Sequence, residues 1–335
     1  MDVKIKKLPK SLIEITGEIP AEKFESARER AIKELSSHVS IDGFRKGMAP
    51  ESVLERKLGA MAILEEMAQI SLGEAYPEIV LKNKLDVIGN PEISITKIAA
   101  ENPLGFKIIS AIVPGIELPD YKTIAKEAAK KKEPAEVSDK EIDDLLLELR
   151  KSRSIKDEKS GEQIIPELSD EFARTLGGFE NVSALKDKLR ENMKMEKEYR
   201  AKEKVRLLMA DGIALKTEAE IPEIISLSET GKMISRIKDD VEKMGMKFED
   251  YLKNIKKTED EMVKEWLPEG EKRAKIELAL MKIAEKEKIK PTEEEIEKEI
   301  KHVLEHYKEA KEERVREYVA SLLIKEKVFE FLENQ

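Results

Sequence analysis

Apolar residues recur along this chain with two different periods, and the change of period divides it. Between Val3 and Ile19 the period is two: Ile13 and Ile15 alternate with Glu14 and Thr16, which predicts two short strands. Pro20 then opens a helix whose Phe24, Ala27, Ala31, Leu35 and Val39 fall on one stripe. After a stretch bounded by glycines and a proline, Val53, Leu54 and Leu58 resume the helical period. Gly59 interrupts it, and Met61, Leu64, Met67, Ala68 and Leu72 predict a longer helix reaching to about residue 85. Ile93 and Ile95 alternate with Ser94 and Thr96, Asn102-Pro103-Leu104-Gly105 forms a turn, and Phe106, Ile108, Ser110 and Ile112 make a further strand. Strands, then helices, then strands imply an α+β domain over residues 1–118, with helices on one face of an antiparallel sheet.

Beyond Pro119 the pattern changes. Residues 119–137 form a charged connector; its Lys130-Lys131-Lys132 run reads as solvated linker rather than a nucleic-acid tract. From Ser138 onward the period is helical. Ser138 with Glu141 forms a capping box ahead of Ile142, Leu145, Leu146 and Leu149. After a break near 159–162, further helices are expected over 185–215, 222–244, 248–255 and 258–289. Thr258 with Glu261, and Thr292 with Glu295, make two more capping boxes. The last two helices carry Ile296, Ile300, Val303, Leu304 and Tyr307, then Val315, Val319, Leu322, Leu323, Phe329 and Leu332. Long amphipathic helices with short breaks predict an all-α, extended, multi-helix domain over 138–335.

Composition narrows the chemistry. Of 335 residues, 40% are charged and 4% aromatic, which suits long solvated helices better than an aromatic-lined enzyme pocket. Cysteine is absent, so there is no thiol nucleophile and no thiolate metal site. The N-terminus lacks the apolar core of a signal peptide and no run approaches a membrane span, so a cytoplasmic location without a membrane partner is expected. Residues 1–119 carry 16 Lys+Arg against 18 Asp+Glu, so docking to an anionic partner has to be local rather than spread over a basic face. His302 and His306 stand at i, i+4, where two imidazoles can share a metal, but the helix lacks the His-Glu-x-x-His pattern and reads as a solvated face. No Walker loop, dinucleotide fingerprint or nucleophile elbow occurs, so neither a cofactor nor a metal is expected.

The most unusual stretch is Gly43-Phe44-Arg45-Lys46-Gly47, followed by Met48-Ala49-Pro50. Its glycines permit φ > 0 and Pro50 suits the first turn of a helix, which predicts a stiff tip presenting Phe44, Arg45 and Lys46. Such a tip suits an anionic partner, with Arg for phosphate and Phe for a small apolar pocket. A basic turn whose Phe tucks back into its own domain fits the same residues. The segment resembles the G-F-R-x-G-x-x-P signature of trigger factor, the bacterial ribosome-associated chaperone. One difference is Met48, where many members carry a second lysine. The resemblance implies docking at the ribosomal tunnel exit, to protein and neighbouring RNA, through Gly43, Phe44, Arg45, Lys46 and Gly47. The charge balance of residues 1–119 makes that contact local, with Lys4, Lys6, Lys7 and Lys10 expected to assist. It also implies a helical body with projecting arms that form a cradle for nascent or unfolded chains.

Two further segments carry the likeness. Residues 138–153 and 164–192 resemble the stretches that flank the FK506-binding-type prolyl-isomerase domain of that family. Only residues 154–163 stand between them here, so the isomerase domain is expected to be absent and the chain not to be an enzyme. The twelve methionines include several suited to a surface that accepts many apolar sequences, or to gap-filling in helix cores. Met195, Met209, Met233, Met244 and Met246, with Ile224 and Leu227, are the candidate client-binding residues. The expected function is an ATP-independent holdase, with self-association away from the ribosome as a further possibility. The rivals are an assembly or scaffold chaperone for folded partners, and a metal-dependent hydrolase using His302 and His306.

Overall fold

The computed structural model describes residues 2–39, 44–45, 47–156, 163–307 and 310–335, the side chains of 155 and 156 excepted. Strands β1 (Val3–Leu8) and β2 (Leu12–Ile19) form a hairpin. Helices α1 (Ala21–Glu25), α2 (Arg28–His38), α3 (Glu51–Leu58) and α4 (Ala60–Lys82) follow, then β3 (Val87–Lys97) and β4 (Leu104–Ile112). The four strands make one antiparallel sheet in the order β1-β2-β4-β3. Where one helix is expected from Pro20 there are two, because Ser26 turns its hydroxyl back onto the Lys23 carbonyl at 2.7 Å and the Ala27 amide closes a tighter turn onto Phe24. Gly59, at φ +88°, separates α3 from α4.

The core of this region centres on α4, which is apolar around much of its circumference and therefore buried. Its Ile63, Met67, Ala68, Leu72, Ala75 and Ile79 pack with Ile13, Ile15, Ile19, Leu104, Phe106 and Ile108 of the sheet and with Phe24, Ala27 and Ala31 of the α1–α2 segment. Of the polar groups this brings inside, the Tyr76 and Ser110 hydroxyls meet at 2.9 Å, while the buried Ser71 hydroxyl has no hydrogen-bond partner among the described residues.

The rest of the chain is almost wholly helical. It comprises α5 (Tyr121–Ala129), α6 (Asp139–Ser152), a two-residue hairpin of β5 (Ile155–Lys156) and β6 (Gln163–Ile164), α7 (Asp170–Thr175) and α8 (Val182–Lys216). Then come α9 (Glu223–Lys243), α10 (Phe248–Ile255), α11 (Glu259–Glu287), α12 (Glu293–His306) and α13 (Glu312–Glu333). The connector expected over 119–137 contains α5. Tyr121, Ile124, Ala125 and Ala128 recur at helical spacing and are buried, and Asp120 caps the helix by accepting from the Thr123 amide.

The chain divides into two compact units, each built from two separated stretches. Residues 1–117 cluster with 217–278, and residues 118–216 cluster with 279–335. In the first unit, Glu117 and Glu218 exchange backbone hydrogen bonds and the Ser11 hydroxyl donates to the Glu220 carbonyl at 2.8 Å. There too, Ile224 fills the space where a side chain at Gly89 would stand. Its α9, α10 and α11 join through Ile234, Phe248 and Met262, with Trp266 beside them. The second unit has one core of Ile142, Leu146, Ala173 and Leu185, and another of Ile296, Ile300, Val315 and Val319.

Capping boxes close the N-termini of α6 and α12, and Glu261 makes the same reciprocal bonds with Thr258 ahead of α11. The Lys197 ammonium, 2.6 Å away, and the Ser138 amide and hydroxyl hold the Glu141 carboxyl down to about 2. Lys327 at 2.8 Å and the Thr292 amide do the same for Glu295, also to about 2. A carboxylate with a depressed folded-state pKa stabilises the fold above its unfolded pKa, and loses that contribution as pH falls through the folded value. Glu141→Gln and Glu295→Gln are therefore expected to lower the melting temperature at pH 7, with the deficit shrinking between pH 4.5 and about 2. Melts followed by circular dichroism across that range check this.

Candidate functional site

The loop between α2 and α3 is held at its base. Ser36, buried on α2, accepts the Gly47 amide on its carbonyl and the Ala49 amide on its hydroxyl, both at 2.9 Å. Ala49 and Leu54 are buried against Ile32, Leu35, Val39, Val53 and Leu58, which fixes the entry into α3. Gly47 sits at φ +82°, a backbone conformation that costs a side-chain-bearing residue about 1–2 kcal/mol. The Met48 amide closes a turn onto the Arg45 carbonyl at 3.0 Å.

From that base Phe44 is 42% exposed and Met48 72% exposed. Arg45 is exposed and makes no ion pair among the described residues. Gly43 and Lys46, which belong to the same expected site, lie outside the described residues. Lys4, Lys6, Lys7 and Lys10 are exposed along β1 and its turn.

The candidate client-binding residues separate into groups. Met244 and Met246 flank Gly245 at the end of α9, where the Gly245 amide bonds to the Glu242 carbonyl and the Met246 amide to that of Val241. This pair of bonds is the glycine-dependent helix stop in which Gly245 takes φ +78°. It leaves both methionines exposed at a turn. Ile224 and Leu227 are exposed one turn apart at the start of α9, and Met233 is half-buried further along. Met195 is exposed on α8.

Met209 differs. It is 0% exposed and lies on the buried stripe of α8 with Val205 and Ile213, so it fills a core and is not part of the exposed set.

The sequence reading missed a second feature of the α8 unit. A groove of about 500 Å³ runs between α8 and α13, lined by Tyr199, Leu207, Leu322 and Phe329 among charged neighbours. Arg206 braces it, donating to both oxygens of Glu326 at 2.8 and 2.6 Å and to Glu333 at 2.6 Å, with its guanidinium 5.4 Å from the centre of the Phe329 ring. These bonds, the one to Glu326 foremost, push the Arg206 pKa further up. The available signal was Tyr199 and Leu207, large apolar positions of α8 off its buried stripe. His302 and His306 have ring centres 5.3 Å apart, and no group of three potential metal ligands occurs among the described residues.

The fold and loop together define a class: a small sheet-and-helix domain presenting an aromatic and basic tip, joined to long helices that carry exposed apolar side chains. Family models described as bacterial trigger factor protein match residues 1–149, and the trigger factor C-terminus matches 181–334. The chain belongs to the trigger factor family, whose members are ribosome-associated, ATP-independent chaperones.

Curated relatives agree. The trigger factor of Halothermothrix orenii is 26% identical, over 95% of this chain and 93% of its own. That of Carboxydothermus hydrogenoformans is 27% identical, over 93% and 92%. A solved structure from work on promiscuous substrate recognition in folding and assembly activities of the trigger factor chaperone covers all of both chains, with a TM-score of 0.56 at 17% identity, and supports the fold. Residues 150–180, between the two matched spans, hold the β5–β6 hairpin and α7 and lack the isomerase-domain region. The alignment with the Halothermothrix protein spans 405 positions, more than this chain has residues, so that relative carries sequence this chain lacks.

Replacing Ser36 by Ala leaves the buried Ala49 amide without its acceptor, a loss of about 1–3 kcal/mol. The expected result is faster hydrogen exchange at Ala49 and Gly47, with the sheet amides unchanged.

Proposed function

We propose that this chain docks at the ribosomal tunnel exit through Phe44, Arg45 and Lys46, and there holds emerging chains on apolar side chains spread over its helices. The observation that carries this reading is the contrast between the loop and its base: Ser36 of α2, Ala49 and Leu54 of α3 are buried, while Phe44 and Arg45 are exposed. A ring and cations on a fixed base suit a surface of ribosomal protein and RNA phosphate. Lys4, Lys6, Lys7 and Lys10 would add a local electrostatic contribution that weakens with salt.

Client contact would be distributed. Met195, Ile224, Leu227, Met233, Met244 and Met246, each weak, together delay aggregation by many rapidly exchanging contacts. Without a nucleotide site, release follows when the client buries the same apolar groups in its own fold. The work would be cytoplasmic, with no prolyl-isomerase activity. Away from the ribosome, the same exposed side chains would favour self-association. A second reading, assistance in assembling folded partners, follows from the solved relative, a trigger factor chaperone studied for its folding and assembly activities.

Co-sedimentation with ribosomes tests the docking. A Phe44→Ala, Arg45→Ala, Lys46→Ala variant is expected to bind at least tenfold more weakly while keeping its melting temperature and its ability to suppress aggregation. Equal binding by both proteins counts against docking through this loop. A proline-limited refolding assay is expected to show no acceleration.

A further inference from the structure

The two edges of the four-stranded sheet end differently. Directly opposed residues in antiparallel strands share a face, so the register aligns Ile5, Ile15, Ile108 and Ile93 in one row across all four strands. A second row runs through Val3, Gly17, Phe106 and Ile95. At the centre these rows are dry, with Ile15, Ile108 and Phe106 no more than 1% exposed. At the β3 edge they run out into solvent, Ile93 being 42% and Ile95 39% exposed.

The β1 edge is guarded by charge. Ile5 sits among exposed Lys4, Lys6 and Lys7, the usual protection of a strand edge against pairing. The β3 edge reads Glu-Ile-Ser-Ile-Thr over residues 92–96, with one charge. Among the described residues, no backbone hydrogen bond reaches these five from the side away from β4.

We propose that the outer edge of β3 takes up an extended apolar segment of an unfolded chain as a fifth strand. Main-chain hydrogen bonds are indifferent to side chains, which suits a protein that holds many sequences. Apolar side chains at alternate positions of the incoming strand extend the two rows beyond Ile93 and Ile95. The best-fitting segment is therefore extended, with β-branched or aromatic residues at every second position.

A second copy of this chain is the poorer occupant. Pairing β3 with β3 would bring together two isoleucines per copy, each already more than half covered. That falls far below the roughly 1,000 Å² expected of a specific stable interface. A short, weak, exchanging occupant fits the edge better. The inference rests on the chaperone reading and assigns one of its client sites.

Amide hydrogen exchange on the full chain tests it, with reduced carboxymethylated α-lactalbumin, a permanently unfolded protein, as the probe. On binding, alternate amides across 92–96 are expected to slow at least tenfold, with the period of two that marks strand addition. Ile93→Lys with Ile95→Lys is expected to abolish that slowing and weaken binding several-fold. Should that double variant fail to fold, Ser94→Lys places a charge on the edge from the opposite face, clear of both isoleucine rows, and is expected to abolish the slowing as well. Binding with unchanged exchange at 92–96 overturns the edge assignment and leaves the chaperone reading standing. No binding by the wild type overturns both. Slowing that depends on protein concentration without probe makes the edge a self-association site and also overturns the proposal.

Discussion

An aromatic side chain offered to solvent cannot be what holds its own loop in place. Here the loop is held by one buried serine, which takes two amides from the far strand of the loop, and by Leu54, fully buried a few residues on. Gly47 supplies the left-handed backbone that lets both bonds form. In the proposed docking, a base fixed in advance lowers the cost of ordering the loop on contact. The base in turn depends on α2 and α3 being fixed against α4, the helix on which the whole sheet-and-helix core is packed.

The helical remainder meets a different constraint. A surface that receives unfolded chains has to show apolar groups without collapsing on itself. Under the proposed client-holding role, the chain meets this constraint by spacing them. Met244 and Met246 sit at a helix stop, Ile224 and Leu227 lie on one helical turn, and Met195 is on α8, where Tyr199, Leu207 and Leu215 are also exposed. Paired charges such as Arg206 with Glu326 and Glu333 tie the helices together where aromatic packing is scarce.

Much of this was legible from the residues. The strands at 3–19, the glycine break at 59, the three Ser/Thr–Glu caps and nearly every long helix follow from periods and capping chemistry that act locally. The loop was legible because Gly, Phe, Arg and Pro at fixed spacing are both a turn and a signature. What escaped depends on contacts far apart in sequence. Nothing near Ser36 announces that it receives the amides of residues 47 and 49. The helix at 121–129 lay hidden in a lysine-rich stretch, its short apolar stripe built largely of alanine. Met209 and Met195 have the same side chain on the same helix, and only the packing of α8 decides that one is core and the other surface. The association of 217–278 with 1–117 rests on single contacts, such as Ile224 against Gly89, that no periodicity encodes.

The most direct measurement is a photo-crosslink from position 44. With Phe44 replaced by a photoreactive phenylalanine analogue and the protein mixed with purified ribosomes, the account predicts adducts with ribosomal components at the tunnel exit. Adducts only within the chain itself, from a protein that still sediments with ribosomes, would contradict it.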